Sequence, residues 1–323
     1  MLHIPAIRWG EPYKSLDADK LTRFDTGETV AEMSKVVGGI VERDMRHAAR
    51  ARHVLRELPM NDLFSITRKA ADIFLNGTVD VGGQAQTPED YVRLQSATTG
   101  LPYTLCKNNM KKNHFVMSNM PAILDALTRG LPPDILRLGH GIEARGVPLS
   151  YQAMSPVLGM ILPNNSPGVH SLWLPVIPMQ IGLVIKPGSA EPWTPNRITA
   201  SFIQAGLPKQ AIAIYPGGHD VGGAVMNACK RSLIFGGQAT VEQYKSNPNV
   251  QVHGPGWSKV IFGEDEAEHW EKYLQVVADS IAVNSGRGCI NTSAVFTPQH
   301  GRKLAEGLAE KKSSIAPLPA END

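Results

Sequence analysis

Cys289 is the residue of this chain whose neighbours best suit chemistry. It ends the hexapeptide Asn284-Ser-Gly-Arg-Gly-Cys289, and a glycine before a cysteine lets the backbone turn tightly and present the sulfur at the mouth of a cleft. A cysteine in a polar, glycine-flanked loop can be held as the thiolate, which attacks carbonyl carbon. A lone cysteine is more often a small buried hydrophobe, so the interpretation depends on two other segments, residues 161–167 and 184–188.

These two segments place polar residues directly after short apolar runs, in the sequences Ile161-Leu-Pro-Asn-Asn165-Ser-Pro167 and Val184-Ile-Lys186-Pro187-Gly188. Similar apolar runs that predict buried strands are residues 157–162, 182–185, 211–215 and 232–235. The helices predicted between them are residues 169–181, 195–205 and 221–228. This alternation is typical of an α/β fold with a doubly wound parallel sheet, which binds ligands at the carboxyl edge of its strands.

The flanking segments have weaker patterns. Residues 1–28 are predicted to be irregular, and residues 147–155 to be a strand. Hydrophobic periodicity predicts helices at residues 29–58, 60–75 (with Asn61 as the cap), 89–98 and 120–131. A further apolar run at 260–263 and a helix at 266–282 lead to Cys289. The glycines near 217–223 do not have the GxGxxG spacing, so by themselves they are a weak indication of a nucleotide site.

Composition narrows the class of protein. The chain has 323 residues, 42% of them hydrophobic, and a net charge of +2, which fits a globular protein of about two domains without nucleic acid as a partner. Its three widely spaced cysteines form neither a disulfide framework nor a zinc motif, so we expect no metal and a reducing, cytoplasmic location. The uncharged stretch at 157–185 contains four prolines and a paired asparagine, so we expect no membrane span.

Four landmarks together resemble the aldehyde dehydrogenase superfamily. They are the Pro-Asn-Asn-Ser-Pro loop, the Val-Ile-Lys-Pro strand end, the Phe235-Gly-Gly237 turn and the Asn-x-Gly-x-x-Cys loop, in the family's order and with family-like spacing. The resemblance implies a Rossmann-like NAD-binding domain and the start of a second α/β catalytic domain. We expect the first to occupy residues 1–250, with a bridging strand region near 140–160, and the second residues 251–323.

The resemblance also implies roles for individual residues. Cys289 matches the nucleophile, and Asn165 matches the asparagine that helps to hold the substrate oxyanion. Lys186 matches the lysine that contacts the adenosine ribose, and Gly237 matches the glycine of the turn near the nicotinamide and phosphates. The full set of residues implied to bind the cofactor is Pro163, Lys186, Ser189, Glu191, Gly217, Gly237 and Gln238.

The sequence departs from the family's pattern in three places. The position of the family's general-base glutamate falls on His253. The absence of that glutamate resembles the branch that exchanges acyl groups with coenzyme A, although a histidine can itself act as a base near neutral pH. The glutamate that selects NAD falls near Ser189 or Glu191, depending on the alignment gap, so NAD is only weakly favoured over NADP. Members of the family continue well beyond the nucleophile, so we interpret the chain as a truncated form.

Three functional hypotheses follow from these observations. The first is an NAD(P)-dependent oxidoreductase that forms a thioacyl group on Cys289, with an aldehyde or acyl-coenzyme A as substrate and a homo-oligomer in the full-length protein. The second is a non-catalytic nucleotide-binding fragment or pseudoenzyme of the same fold. A cysteine hydrolase is disfavoured because His300 is the only histidine after Cys289. His170 and Trp173 could face a substrate tunnel, but residues of this kind on a helix are more often in the core.

Overall fold

The structure is a computed structural model that describes residues 1–142, 146–316, 319 and 321. The strands are β1 (Leu2–Ile4), β2 (Ala6–Arg8), β3 (Glu11–Tyr13), β4 (Ala18–Thr22), β5 (Thr29–Ser34), β6 (Val79–Val81), β7 (Gln84–Gln86), β8 (His140–Ile142), β9 (Pro148–Ser150), β10 (Val157–Ile161), β11 (Gly182–Lys186), β12 (Ile212–Ile214), β13 (Ser232–Phe235), β14 (Val250–His253), β15 (Lys259–Ile261) and β16 (Ala294–Phe296).

The α-helices are α1 (Gly38–Met45), α2 (Ala49–Arg56), α3 (Met60–Asn76), α4 (Pro88–Thr99), α5 (Tyr103–Ser118), α6 (Met120–Leu127), α7 (Ile135–Leu138), α8 (Trp193–Ala205), α9 (His219–Ala228), α10 (Gln238–Tyr244), α11 (Glu264–Ala267), α12 (Leu274–Ala282) and α13 (Gly301–Ser313). Short 3₁₀ segments lie at Pro167–Leu172, Leu174–Val176, Lys209–Ala211, Trp270–Tyr273 and Val283–Gly286.

The main sheet has the strand order β14-β13-β10-β11-β12-β2-β3. Strands β10 to β14 are parallel, and the hairpin β2–β3 adds an antiparallel edge beside β12. The parallel part of the sheet starts at β10, extends to one side through β11 and β12, and then continues on the other side of β10 through β13 and β14. The doubly wound parallel sheet is therefore confirmed, and its topological switch point lies between β10 and β13.

Alternate side chains of the central strands pack into two different cores. Leu183 and Ile185 of β11 join the apolar cluster that contains Phe202 of α8, whereas Val184 between them joins the cluster that contains Val225 of α9. All three strand residues are fully buried. Successive side chains of a strand point to opposite faces, so a continuous apolar run is what a sheet covered by helices on both sides requires.

The N-terminal prediction was wrong. Residues 1–28 include β1 to β4, and the helix predicted over 29–58 is instead β5 followed by α1 and α2. Strand β5 forms because it pairs in parallel with β1 and antiparallel with β4, and such partners distant in sequence override a local helical periodicity. Two consecutive glycines, Gly38 and Gly39, open α1.

Most predicted elements from residue 60 onward are present, with three corrections. Helix α3 has Pro59 rather than Asn61 at its N-cap position, without a side-chain cap. The helix predicted over 169–181 is two short 3₁₀ segments, and Pro175 lies inside the second of them, where its ring and missing N–H prevent a continuous α-helix. The helix predicted over 266–282 is divided into α11, a 3₁₀ turn and α12.

A second, smaller core surrounds the parallel pair β15–β16. Phe262, Ala267, Val277 and Leu304 are its buried members. Large apolar side chains nearby remain exposed, including Ile261 at 76% and Phe296 at 55%. The separate core is compatible with a domain boundary near residue 250, which remains a prediction. In the part of the chain that the structure describes, no helix is long and apolar enough to cross a membrane.

Asp44 on α1 connects Arg8 of β2 with Tyr215, which follows β12. Its carboxylate accepts two hydrogen bonds of 2.6 Å from Arg8 and one of 3.0 Å from Tyr215. Burial would raise the pKa of Asp44, but the hydrogen bonds from Arg8 and Tyr215 outweigh it and hold the pKa below the usual 3.8. The ion pair of Arg8 and Asp44 therefore stabilises the fold at neutral pH.

We expect Asp44→Asn to lower the free energy of unfolding by about 3 kcal/mol, because it leaves the Arg8 guanidinium without its counter-charge. Urea unfolding at pH 7 measures the loss, and Asp72→Asn is the control because that side chain is 67% exposed. Since the pKa of Asp44 is lowered in the folded state, the wild-type advantage should persist at neutral pH and disappear only as the pH falls through that pKa. Equal losses in the two variants would contradict this role.

Candidate active site

A crevice of about 690 Å³ opens at the carboxyl end of β10 and β13, where the strand order reverses. Its wall is formed by the loop after β10, the turn after β13, the end of β14 and the loop that carries Cys289. Open α/β sheets bind ligands at this kind of switch point. Of the predicted site residues, the crevice brings together Pro163, Asn165, Gly237, His253 and Cys289.

Cys289 is an exposed free thiol at the crevice, whereas Cys106 and Cys229 are buried. Burial raises the pKa of the Cys106 and Cys229 thiols to about 12. A thiol reacts through its thiolate, so the buried pair is almost unreactive at neutral pH. Cys289 is therefore the cysteine that the fold makes available for chemistry.

The backbone before Cys289 has an uncommon conformation. Asn284, Ser285 and Gly286 are consecutive left-handed residues, with φ values of 53°, 57° and 71°. Non-glycine residues rarely adopt this region, and they persist there only when their surroundings hold them. Asn291, on the far side of the cysteine, supports the loop by directing its amide at the carbonyls of Ser280, Ile281 and Val283.

Gly256 packs directly against the loop that carries Cys289. A Cβ atom built on Gly256 would lie 1.6 Å from the carbonyl oxygen of Cys289. No side chain fits at this distance, so residue 256 must be glycine for the loop to hold this position. This contact could not be predicted from the sequence, because Gly256 and Cys289 are 33 positions apart along the chain.

Asn165 connects the loop after β10 to the loop that carries Cys289. Its Nδ2 donates a hydrogen bond of 2.7 Å to the carbonyl oxygen of Arg287, and Arg287 in turn donates through Nη1 to the carbonyl of Thr99 at 2.6 Å. Nδ2 carries two hydrogens, and this bond uses one of them. The other remains able to serve a ligand in the crevice.

His253 ends β14 and is stacked on Phe235, with ring centroids 4.8 Å apart and an interplanar angle of 26°. Burial lowers the pKa of His253 below its ordinary 6.5, so the ring is neutral at pH 7. Its Nε2 atom is buried without a hydrogen-bond partner among the described residues. A neutral imidazole with a free nitrogen can accept a proton.

The predicted cofactor residues fall into two groups. Gly237 and Gln238, at the start of α10, are exposed beside the crevice, and a Cβ at Gly237 would meet open space. Lys186 ends β11, Gly217 follows β12, and neither residue lines the crevice. Burial lowers the pKa of Lys186, and the nearby carboxylates of Asp19 and Asp220 oppose that shift.

Gly217 is tightly packed. A Cβ there would lie 2.4 Å from Val221 and 2.9 Å from the carbonyl of Val36. Its place in the structure is therefore explained by close packing of the segment before α1, independently of any ligand.

Glu191 is directed into the core and not toward a ligand, which corrects the expectation that it contacts the cofactor. It is 1% exposed, and it accepts hydrogen bonds from Gln95 and from the backbone and hydroxyl of Thr194. Its other oxygen lies 3.1 Å from His170 Nε2. Ser189, the alternative position, is exposed and accepts a hydrogen bond from the amide of Asn164.

His170 and Trp173 are fully buried and do not face a tunnel. Trp173 Nε1 donates to His170 Nδ1 at 3.1 Å, so the ring proton is on Nε2, which donates to Glu191. The two residues therefore belong to a buried polar network that joins the loop after β10 to the segment after β11. Within the described residues, no group of three or more His, Cys, Asp or Glu side chains could hold a metal ion.

The chain belongs to the aldehyde dehydrogenase family, whose model matches residues 14–317. Malonate-semialdehyde dehydrogenase of Listeria monocytogenes is 25% identical over 164 residues, covering 49% of this chain and 32% of that protein. The enzyme of the same name from Halalkalibacterium halodurans is 32% identical over 97 residues, which is 29% of this chain and 20% of that protein. The predicted family is thus confirmed.

Solved structures agree on the fold. Betaine aldehyde dehydrogenase of Staphylococcus aureus, solved with NAD⁺, superposes with a TM-score of 0.80 and 17% identity over 100% of this chain and 65% of that one. Succinate-semialdehyde dehydrogenase of Burkholderia pseudomallei superposes with a TM-score of 0.78 and 15% identity, over 98% of this chain and 64% of that one. At these identities the likeness shows the fold alone, and the chain spans just under two thirds of these solved enzymes.

Proposed function

We propose that this chain carries the nucleotide-binding part and the nucleophile loop of an NAD(P)-dependent aldehyde dehydrogenase. The observation that carries the proposal is the convergence of exposed Cys289, Asn165 and His253 on one crevice at the switch point of the sheet. The family match over residues 14–317 supports it.

Cys289 is the nucleophile in this proposal. Its thiolate adds to the carbonyl carbon of an aldehyde, and the carbonyl oxygen becomes an oxyanion. The free hydrogen of the Asn165 amide and the backbone N–H of Cys289 stabilise that charge, an effect worth about 3–4 kcal/mol per donor. Loss of a hydride from the same carbon restores the carbonyl and leaves a thioester on Cys289.

The residues present fit a nicotinamide dinucleotide. Among the described residues, Lys186 Nζ has no ion-pair or hydrogen-bond partner, and the space beside Gly237 is open. We assign Lys186, Ser189, Pro163 in the loop after β10, and Gly237 and Gln238 at the start of α10 to the cofactor. The cofactor when bound supplies the hydride acceptor. A preference for NAD depended on the carboxylate of Glu191, and with Glu191 in the core that preference loses its support.

The acceptor of the acyl group is either water or coenzyme A. His253 occupies the position of the family's glutamate, and its neutral ring can deprotonate water. Transfer to a thiol needs less help from a base, so the two outcomes respond differently to loss of His253.

We expect His253→Gln to slow acid formation by about 10²-fold or more while transfer to coenzyme A remains within a fewfold of wild type. The measurement is single-turnover product analysis with and without coenzyme A, using malonate semialdehyde first because the curated relatives carry that name. Acid formation in the wild type should also decline as the pH falls through the lowered pKa of His253. His47→Gln, on an exposed side chain, is the control. Acid formation at an unchanged rate in His253→Gln would contradict the base role.

A non-catalytic nucleotide-binding protein is the second candidate. The exposed apolar side chains around β15–β16 favour it. It predicts binding of NAD without turnover, and labelling of Cys289 that NAD does not change. A cytoplasmic location, compatible with three free cysteines, and a homo-oligomer in the whole protein are part of our proposal under either candidate.

A further inference from the structure

Asn109, on the second turn of α5, lies between the two loops that form the crevice. Its Nδ2 donates to the carbonyl oxygen of Leu105 at 2.8 Å and to Oδ1 of Asn284 at 3.0 Å. Its Oδ1 lies 2.5 Å from the point where a Cβ on Gly168 would be. One side chain thus contacts the nucleophile loop through Asn284 and the loop after β10 through Gly168.

The hydrogen bonds form a chain with a fixed direction. Asn109 donates to Oδ1 of Asn284, Nδ2 of Asn284 donates to the carbonyl of Asn165 at 3.3 Å, and Nδ2 of Asn165 donates to the carbonyl of Arg287 at 2.7 Å. The Asn284 amide cannot rotate by half a turn without placing oxygen against oxygen at Asn165 and nitrogen against nitrogen at Asn109. The amide of Asn109 therefore fixes the orientation of the Asn284 amide, which in turn binds the backbone of Asn165.

The segment that Asn109 contacts, Asn284 to Gly286, has a backbone conformation that other residues must stabilise. Asn284 is the first of the three consecutive left-handed residues before Cys289, and it is 9% exposed. A left-handed run of this kind persists only where side chains outside the loop hold it. The side-chain amide of Asn284 meets Asn109 on one side and Asn165 on the other, so Asn109 supplies the contact from outside the crevice loops.

We propose that Asn109 is a positioning residue for Cys289. It acts through Asn284, holds the left-handed segment, and so sets the place of the thiol and of its backbone N–H relative to the Asn165 amide. The proposal deepens the proposed function and depends on it for its kinetic consequence, whereas its structural consequence can be measured without turnover.

The test compares Asn109→Asp with Asn108→Asp. The first keeps the shape of the side chain but removes both donors, and the second makes the same chemical change at the adjacent, exposed residue of the helix. Hydrogen exchange is measured on peptides that cover residues 284–289. We expect exchange there to be about tenfold faster in Asn109→Asp than in wild type and Asn108→Asp, while Cys106 and Cys229 stay protected from alkylation, which shows that the core is intact.

The kinetic arm separates positioning from general destabilisation. With an aldehyde and NAD⁺, Asn109→Asp should lower kcat about tenfold and leave the KM for NAD⁺ unchanged, because the hydrogen bonds of Asn109 reach none of the predicted cofactor residues. Asn109→Ser, which is too short to reach Asn284, is the second variant if the aspartate form does not fold, and it should behave in the same way.

The outcomes are distinguishable. Unchanged exchange at residues 284–289 in a folded Asn109 variant would overturn the positioning role, whatever the activity. Faster exchange in a protein whose wild type shows no NAD-dependent chemistry would support the positioning of the loop and reject the proposed function. A parallel loss of protection at Cys106 and Cys229 in both variants would assign Asn109 to global stability and also overturn the proposal.

Discussion

Replacing Cys289 by alanine is expected to abolish covalent modification of the folded protein by an aldehyde-like thiol trap. Cys289 is the exposed thiol at the crevice, and burial raises the pKa of Cys106 and Cys229 to about 12, which leaves them protonated at pH 7. The measurement is the intact mass after brief incubation with and without NAD. In the wild type we expect one adduct, which forms faster with NAD because the bound nucleotide organises the crevice.

Turnover should respond to the same change. Loss of a catalytic nucleophile lowers kcat by several orders of magnitude, and the second-order rate of labelling should fall to background. A Cys106→Ala variant is the matched control, and it should label and turn over like wild type. An adduct that persists in Cys289→Ala would contradict the assignment. Labelling of Cys289 that is indifferent to NAD would favour the non-catalytic alternative.

Gly256→Ala is expected to have the second largest effect. Its methyl group would lie 1.6 Å from the carbonyl oxygen of Cys289, so the nucleophile loop must move. A displacement of about 1 Å at reacting groups can cost about 10²-fold in rate. We expect a fall of that order in kcat/KM, together with an altered rate of Cys289 alkylation.

Gly223→Ala provides the matched control. Gly223 lies inside α9 with no atom within 4 Å of the position of its Cβ, and alanine is favoured over glycine in a helix interior by about 1 kcal/mol. Thermal unfolding should therefore show a gain in stability for Gly223→Ala with activity unchanged. If Gly256→Ala retained wild-type activity, the observed position of the loop that carries Cys289 would not be needed for chemistry.

The positions of the ligand loops could be predicted from sequence for a specific physical reason. Parallel strands end at a common edge, so the polar residues after the runs at 157–162 and 232–235 had to meet once those runs were buried strands. The runs are uncharged and apolar because both faces of the sheet are covered, and this pattern does not depend on details of packing. Helices α3, α4 and α8 follow from local periodicity in the same way.

The N-terminal strands could not be predicted in this way. Strand β5 exists because β1 and β4 lie beside it, and local periodicity over residues 29–58 carries no information about those partners. The helix predicted over residues 169–181 is replaced by 3₁₀ segments because prolines interrupt it. Hydrophobic periodicity does not register this effect of proline. Strand β14 was missed because its sequence, Val-Gln-Val-His, is too short and too polar to stand out.

The sequence alone therefore determined the family, the doubly wound sheet and the candidate nucleophile, because each depends on residue types in a fixed order along the chain. The tertiary structure decided which of the candidate residues are accessible to a ligand. Glu191 and Ser189 are two positions apart, yet Glu191 is enclosed by Gln95 and Thr194 while Ser189 is exposed. Gly256 and Asn109 contact the loop that carries Cys289 from distant parts of the chain. Only the folded backbone brings these two residues to the loop.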